Sequence, residues 1–200
     1  MNDIQTIRDE IKQYFNPHNA IDNSNETIFS PNNKYRVETI SFRQEKPDCN
    51  WESTKVEIYQ NDNSALLFSF FVNEGTFYHS WVTKKEVEYL LCSEDLCGGQ
   101  SVIDLTHNVM SSYTANNVDG LIWTKHLLSP NEDLLAVFGC VWGSAFFVTV
   151  YHFDKPMKLP LKIAYQPSWT GYDIIEWIDN ETLRVEKSED QIETLRLEKN

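Results

Sequence analysis

Two long apolar runs in the second half of the chain dominate its hydrophobic pattern. They span Leu134–Trp142 and Ala145–Phe153, and Gly143-Ser144 joins them. Odd and even positions are apolar in both runs, so both faces of each segment should be buried. Their valines and aromatic residues favour strands, and the Gly-Ser pair suits a tight hairpin turn. The pattern therefore predicts a central hairpin, with an almost fully buried core of Leu135, Val137, Phe147, Val148 and Val150.

One short amphipathic helix is predicted near the start of the chain, over residues 3–15. Ile4, Ile7 and Ile11 recur there at helical spacing, with charged residues between them. Asn16-Pro17 ends the pattern, because proline cannot continue a helix. The polar residues that follow, up to residue 28, predict a linker.

Most of the remaining chain predicts strands separated by polar turns. Val87, Tyr89 and Leu91 alternate with Glu86 and Glu88, which predicts a half-buried strand with one solvent-facing side. The Asn-rich residues 107–119 predict a seam between two halves. The predicted strands outside the hairpin are Tyr35–Phe42, Thr54–Gln60, Ala65–Val72, Glu86–Cys92, Gln100–Thr106, Leu121–Leu128, Leu161–Tyr165, Asp173–Ile178, Thr182–Glu186 and Ile192–Leu197.

The chain also repeats itself. Ser30-Pro31-Asn32 recurs as Ser129-Pro130-Asn131, and a strand follows each after a polar turn. Trp81 and Trp177 recur within similar strand patterns at a similar offset. Internal repeats of strand meanders are typical of propeller-type architectures. The sequence therefore predicts two related β units.

The first of these turns carries a resemblance to known proteins. Ser30-Pro31-Asn32-Asn33-Lys34-Tyr35 resembles the SPDGKY turn that opens blades in TolB-like and WD-type β-propellers, with Asn in place of Asp and of Gly. Over residues 29–197 the chain resembles a small uncharacterised family of two-blade proteins. The resemblance implies no catalytic residues.

The pattern, the repeat and the resemblance lead to one expected architecture. It is a mainly β fold with two antiparallel, blade-like meander sheets packed together and one short N-terminal helix. The expected parts are a helix and linker at residues 1–28, a first β unit at 29–106 and a second at 120–200, in one compact domain. Two units cannot close a ring of about four or more blades. The sheets must therefore pack on each other, or a partner must cover what they expose.

The charge of the chain narrows its expected partners. The formal net charge is −13, which argues against binding to nucleic acid or to an anionic membrane. Such acidity serves solubility or attracts a basic protein partner. No run of about 18 apolar residues predicts a membrane helix, and no signal peptide is visible. The four cysteines then predict thiols in a reducing compartment, the cytoplasm of a cell or of an infected host.

Candidate chemistry is sparse. Cys92 and Cys97, with His79 and His107 at a distance, lack the second close ligand pair of a zinc site, so neither a metal nor another cofactor is predicted. The combination of Cys140, His152 and Asp154 could suggest a nucleophile with its base. Cys140 lies in an apolar run, however, where a cysteine usually acts as a small hydrophobic residue. Motifs for a serine nucleophile or for nucleotide phosphates are absent from the sequence.

Three kinds of function therefore stay open. The first is a non-enzymatic module, such as an inhibitor or immunity-type factor, that binds a protein through an acidic, aromatic-containing face. The second is a small-molecule binder or minor hydrolase, with Trp123, His126, Trp142 and His152 between the two sheets. The third is a structural subunit of a larger assembly, including a viral one, and a homodimer is also compatible with the sequence. The predicted binding residues are Trp123, His126, Trp142, Trp169, Tyr172, Glu186, Glu189 and Glu193.

Overall fold

A computed structural model describes residues 4–46, 49–95, 98–115, 120–166, 171–187 and 191–197. Within these residues the chain forms mostly β-strands, together with one α-helix and two 3₁₀ turns. The helix α1 spans Ile4–Ile11, and the 3₁₀ turns span Lys12–Tyr14 and Pro17–Asn19. The strands are β1 Glu26–Phe29, β2 Tyr35–Lys46, β3 Cys49–Gln60, β4 Leu66–Val72, β5 His79–Lys84, β6 Val87–Asp95, β7 Gly99–Asp104, β8 Val109–Tyr113, β9 Ile122–Leu128, β10 Leu134–Cys140, β11 Phe147–His152, β12 Ile163–Tyr165, β13 Tyr172–Trp177, β14 Thr182–Lys187 and β15 Gln191–Arg196.

The strands form antiparallel meanders in which neighbours along the chain are neighbours in the sheet. The first sheet is β1–β2–β3–β4, the second β5–β6–β7–β8, the third β9–β10–β11–β12 and the fourth β13–β14–β15. The mainly β class, the antiparallel meanders and the single short helix agree with the sequence prediction. The number of sheets differs from the prediction: four are found, whereas two were predicted.

The chain divides into two compact units. The first comprises Met1–Phe77 and Ser93–Leu96, and the second comprises Tyr78–Cys92 and Cys97–Asn200. The first unit contains the helix and the first sheet. The second unit contains the third and fourth sheets and most of the second.

In the second unit, the third sheet is buried on both faces. Leu135 and Val137 pack on one side with residues of the second sheet, such as Leu91. Ala136 and Val150 pack on the other side with residues of the fourth sheet. Because successive residues of a strand point to opposite faces, both parities of the apolar runs are used.

The predicted central hairpin is confirmed as β10 and β11, which pair from Leu134↔His152 to Gly139↔Phe147. Leu135, Val137, Val148 and Val150 are almost fully buried, as predicted. Phe147, the fifth predicted core residue, is half-buried, because it lies where the strand meets the turn. Gly143 has φ of +78°, and the Ser144 N–H donates to the Val141 carbonyl at 2.8 Å. Glycine is therefore favoured at this third position of the turn.

The two Ser-Pro-Asn turns adopt the same local structure. The Ser30 hydroxyl donates to Asn32 Oδ1 and accepts from the Tyr35 N–H, at 2.9 and 3.0 Å. Ser129 bonds in the same way with Asn131 and Leu134, at 2.7 and 3.0 Å. Each serine thus closes the turn between the first and second strands of a four-stranded meander.

The repeat therefore covers a pair of sheets. Ser30 and Ser129 begin equivalent meanders in the first and third sheets. Trp81 and Trp177 lie in the first strands of the second and fourth sheets. A four-stranded sheet followed by a second meander thus occurs twice along the chain, which explains why two sequence units give four sheets.

Several local expectations need correction. Strand β6 is buried on both faces, including Glu88 and Glu94, so it has no solvent-facing side. The predicted seam contains strand β8, the fourth strand of the second sheet. Strands β1 and β5 were also not predicted. The α-helix ends at Ile11, and a 3₁₀ turn continues it to Tyr14.

In the first unit, an ion pair ties the helix to a buried carboxylate. Arg8 Nε and Nη2 donate to the two carboxylate oxygens of Glu94, each at 2.7 Å. The Glu94 side chain is fully buried, and the guanidinium also lies 5.3 Å from the centre of the Phe70 ring. Such two-point geometry is the strong form of this interaction, because both oxygens receive a bond.

The double burial of the third sheet predicts the effect of a charge in its core. Val150→Asp places an unpaired carboxylate between the third and fourth sheets, which costs several kcal/mol. We expect the second unit to unfold, as measured by circular dichroism and thermal melting. Ile192→Asp, at a position that is 64% exposed, is the matched control and should melt like the wild type. A Val150→Asp variant that melts cooperatively near the wild-type temperature would contradict the central role of the hairpin.

Candidate binding surface

The tip of the β10–β11 hairpin carries an exposed tryptophan on a well-defined turn. Trp142 is 58% exposed, the highest value among the aromatic residues in the described segments. The Ser144 hydroxyl donates to the Val141 carbonyl at 2.8 Å and accepts from the Val141 N–H at 3.2 Å. These bonds fix the turn, so that the indole projects from a defined backbone.

A second aromatic residue lies on the same loop. Phe146 is 39% exposed and stacks on Phe138, with ring centres 5.0 Å apart. Phe138 in turn packs against the core between the third and fourth sheets. We call Phe138, Trp142 and Phe146 the hairpin-end aromatics. Because Phe138 packs on the core and Phe146 stacks on Phe138, the core holds both rings in place.

The hairpin end adjoins one corner of the fourth sheet. The Gly171 N–H donates to the Phe146 carbonyl at 2.8 Å, and Gly171 immediately precedes strand β13. At the start of that strand, the Tyr172 hydroxyl donates to Glu193 Oε2 at 3.1 Å. The Lys187 ammonium lies 5.5 Å from the centre of the Tyr172 ring. Tyr172 itself is only 8% exposed and packs in the core between the third and fourth sheets, so the corner presents mainly the charged groups of Glu193 and Lys187.

The acidity of the fourth sheet is partly compensated by neighbouring cations. Lys125 pairs with Asp173 at 3.1 Å, and Arg184 pairs with Glu176. Glu186 and Glu193 are exposed, on opposite faces of the sheet. Exposed carboxylates of this kind influence the rate of association more than the final affinity.

The structure separates the predicted binding residues into groups. Trp142 and Glu193 belong to the hairpin end and its adjoining corner, and Glu186 lies on the outer face of the same sheet. Tyr172 lies at that corner but is 8% exposed, with its ring in the core between the third and fourth sheets. Trp169 and Glu189 lie outside the described residues. Trp123 and His126 are buried in the interior, so they do not reach a surface that a protein partner could contact. Phe138 and Phe146 were not among the predicted binding residues. The Gly-Ser turn between them nevertheless indicates that the ends of the two apolar runs that meet there leave the core.

Trp123 and His126 belong to a polar cluster between the second and third sheets. Their rings lie 5.2 Å apart, and His126 Nδ1 is 2.9 Å from the Ser80 hydroxyl. Burial, helped by the charge of His79, lowers the pKa of His126 to about 3. Burial raises the pKa of Tyr151 to about 12, and the nearby Trp123 and Gln100 side chains oppose that shift. Both groups are therefore neutral at physiological pH.

The structure does not bring together the residues predicted for the alternative small-molecule site. Trp142 and His152 are exposed, and they lie at opposite ends of the hairpin, away from the interior pair. Cys140 and His152 are likewise at opposite ends of the β10–β11 ladder, so they cannot act as a nucleophile and its base. Within the described segments, no group of three or more His, Cys, Asp or Glu side chains is placed to hold a metal ion.

A carboxyl group with a perturbed pKa occurs in the first unit. Burial, followed by the charge of Asp95, raises the pKa of Glu74 to about 7. Its Oε2 atom is buried and has no hydrogen-bond partner within the described part of the chain. Next to it, Asn73 Nδ2 donates to Asp95 Oδ1 at 2.9 Å, while Asn73 Oδ1 accepts from Trp51 Nε1 at 3.1 Å. No sequence signal pointed to Glu74, because its burial depends on the sheet around it.

The fold and this surface define a class: a mainly β protein of antiparallel meander sheets with an exposed aromatic hairpin end. No protein-family model matches the chain. The chain is 27% identical over 162 residues to an uncharacterized protein of Acanthamoeba polyphaga mimivirus, over 80% of this chain and 63% of that protein. It therefore spans less than two thirds of the relative's length.

Among solved structures, the chain is similar to the Cps50 (Swd1) β-propeller domain of Myceliophteria thermophila. The TM-score is 0.46 at 8% sequence identity, and the match covers 86% of this chain and 69% of that one. Separately, none of the helices in the described part of the chain is long and apolar enough to cross a membrane.

The raised pKa of Glu74 predicts a pH-dependent stability. The folded state binds this proton more tightly than the unfolded state, so stability is retained below about pH 4.5 and falls as the pH rises towards 7. Glu74→Gln removes the charge and should stabilise the first unit by about 1–2 kcal/mol at pH 8, after allowance for solvent screening, with no gain at pH 4. Urea unfolding at the two pH values measures this difference.

The control for this prediction is Glu26→Gln, which changes an exposed carboxylate of the same sheet. It should shift stability by a similar small amount at both pH values. An equal effect of Glu74→Gln at pH 4 and pH 8 would contradict the raised pKa.

Proposed function

We propose that this chain is a non-enzymatic protein-binding module that acts through the hairpin-end aromatics and the adjoining corner of the fourth sheet. The observation that carries the proposal is the exposed Trp142 on a hydrogen-bonded turn, beside the stack of Phe146 on Phe138. Tryptophan and tyrosine are enriched among residues that dominate binding energies, and a rigid anchor loses little entropy on binding. An inhibitor or immunity-type factor would use such a surface.

The expected partner presents an apolar pocket flanked by basic residues. The aromatic side chains would fill the pocket, while the net charge of −13 attracts a basic surface over longer distances. Glu186 and Glu193 lie near this corner and would contribute to that attraction. Long-range attraction between exposed charges weakens with salt, because the screening length is about 8 Å at physiological ionic strength.

Removing the anchor tests the proposal. The tagged wild-type chain should capture a partner from lysate, and Trp142→Ala and Phe146→Ala should weaken capture by roughly 30-fold or more, as for residues that dominate an interface. The measurement is quantitative pull-down, followed by binding titration with the captured protein. Ile163→Ala is the control, because it truncates an exposed apolar side chain of β12, away from the hairpin end.

The charge contribution is tested on the same captured partner. Glu186→Lys with Glu193→Lys should slow association at low salt and leave melting unchanged. Capture that is equal for wild type, Trp142→Ala and Phe146→Ala would contradict the hairpin end as the binding surface. An association rate unaffected by charge reversal would assign the acidity to solubility alone.

A second candidate function is a subunit of a larger assembly, and the edge of the fourth sheet favours it. In the described residues this sheet has three strands where the others have four, and β15 pairs only with β14. An edge strand offers backbone donors and acceptors to a strand of another chain. Ile192, on this strand, is 64% exposed.

Blocking the edge tests this second candidate. A lysine on an edge strand disfavours pairing with another chain, so Ile192→Lys should shift the protein from large complexes to its monomer size in sedimentation of fresh lysate. Ile163→Lys is the matched control on β12, the edge strand of the third sheet. Identical sedimentation of the wild type and Ile192→Lys would exclude β15 as an assembly edge.

A further inference from the structure

A group of polar side chains occupies part of the otherwise apolar layer between the second and third sheets, within the second unit. The surrounding core contains Leu91, Val102, Leu135, Val137 and Phe153. The polar members come from both sheets, and we call them the interlayer cluster: Ser80, Gln100, Trp123, His126, Thr149 and Tyr151.

The strand register brings these side chains to one face of the third sheet. Val137 pairs with His126 on one side and with Thr149 on the other. His126 and Thr149 therefore lie on either side of Val137, on the same face of the third sheet. Their backbones are two strand spacings apart, or about 10 Å. Tyr151 follows two residues after Thr149 and so shares this face, with its ring centre 5.8 Å from that of Trp123.

Four polar atoms of this cluster are buried without a hydrogen-bond partner among the described residues. They are Gln100 Oε1, Trp123 Nε1, His126 Nε2 and Thr149 Oγ1. Their residues are 6%, 0%, 4% and 1% exposed, so bulk solvent does not reach them. Native proteins rarely leave buried polar atoms unpaired, and four in one layer indicate a shared hydrogen-bonding ligand.

The chemistry of the cluster restricts that ligand. Gln100 Oε1 accepts a hydrogen bond, Trp123 Nε1 donates one, and the Thr149 hydroxyl does either. His126 Nε2 takes the role complementary to that of Nδ1, which meets the Ser80 hydroxyl at 2.9 Å. The ligand must therefore both donate and accept. All six side chains are neutral at physiological pH, the lowered pKa of His126 included, so an ion would be buried without a counter-charge.

We propose that the interlayer cluster is an internal hydration site, in which one or more tightly held water molecules bridge Gln100, His126 and Thr149. Water both donates and accepts, carries no charge and needs little space. Internal waters typically make about three hydrogen bonds to buried polar groups that are otherwise unsatisfied. These bridges join the second sheet to the third through a polar contact inside an apolar layer.

Thr149→Val tests the site, because it removes the hydroxyl and nearly preserves the shape of the side chain. Long-lived internal water is counted by water-¹⁷O magnetic relaxation dispersion on the full chain. The dispersion amplitude should fall in Thr149→Val and persist in Thr149→Ser, which keeps the hydroxyl. Thr124→Val is the matched control, because the Thr124 hydroxyl already donates to the Phe138 carbonyl at 2.8 Å. Its dispersion amplitude should equal that of the wild type.

The melting temperature of Thr149→Val gives an independent test, because the direction of its change depends on whether the site is hydrated. In a hydrated site, Thr149→Val loses bonds to water, and the melting temperature should fall by roughly 2–4 °C. In a dry site the same change removes an unsatisfied hydroxyl, so the melting temperature should rise. An increase in melting temperature with unchanged dispersion would overturn the proposal.

If Thr149→Val does not fold, a crystal structure of the wild type tests the hydration site instead. Density for water within about 3.2 Å of Gln100 Oε1, His126 Nε2 and Thr149 Oγ1 would support the site. An empty layer there would overturn it. An organic molecule in the same place, or retained in native mass spectrometry, would also overturn it and assign the cluster to a metabolite.

Discussion

Burial of the third sheet on both faces is the constraint on which the second unit depends. Leu135 and Val137 need an apolar neighbour on one side, and Val148 and Val150 need another on the other side. Each fully buried aliphatic side chain of this kind is worth about 1.5–3 kcal/mol. The sheet is therefore stable only between two others, and the hairpin turn lies at the end of its two most buried strands. The exposed Trp142 lies on that turn, so the core determines the position of its backbone.

Local periodicity explains most of what the sequence could predict. The central hairpin was recognisable because both parities of two long runs are apolar, and the Ser30 and Ser129 turns because serine, proline and asparagine favour one bonding pattern. The number of sheets was not, since each sequence repeat covers two sheets and β8, the last strand of the second sheet, lies within the Asn-rich stretch that predicted a seam. Burial of Glu94 was equally hidden, because its partner Arg8 lies far away in the sequence. For the candidate site, Trp142 was identified from residue type alone, whereas the position of Tyr172 next to the hairpin end, and its burial there, required the fold.

The tryptophans show why residue type alone cannot distinguish a surface anchor from a core residue. Trp123 pairs in register with Gly139, where a side chain would collide with the Ile122 carbonyl oxygen. The glycine allows the two strand backbones to approach closely at this point, and Trp123 is fully buried beside it. Trp142 lies only a few residues further along the partner strand, beyond the end of the ladder, and is exposed. Sequence reasoning treated the two residues alike, and strand pairing gives them different roles.

The repeat of paired sheets has a consequence for synthesis of the chain on the ribosome. The second sheet belongs to the first repeat and is complete at Tyr113, yet its apolar face packs against the second repeat, through residues as late as Leu161. At about 5–20 residues per second, the roughly 50 residues between these points take about 2–10 s to synthesise. Throughout that interval Leu91 and Val102 have no covering sheet. We expect the nascent chain to need chaperone contact at this stage, and slow codons placed within this stretch would favour aggregation.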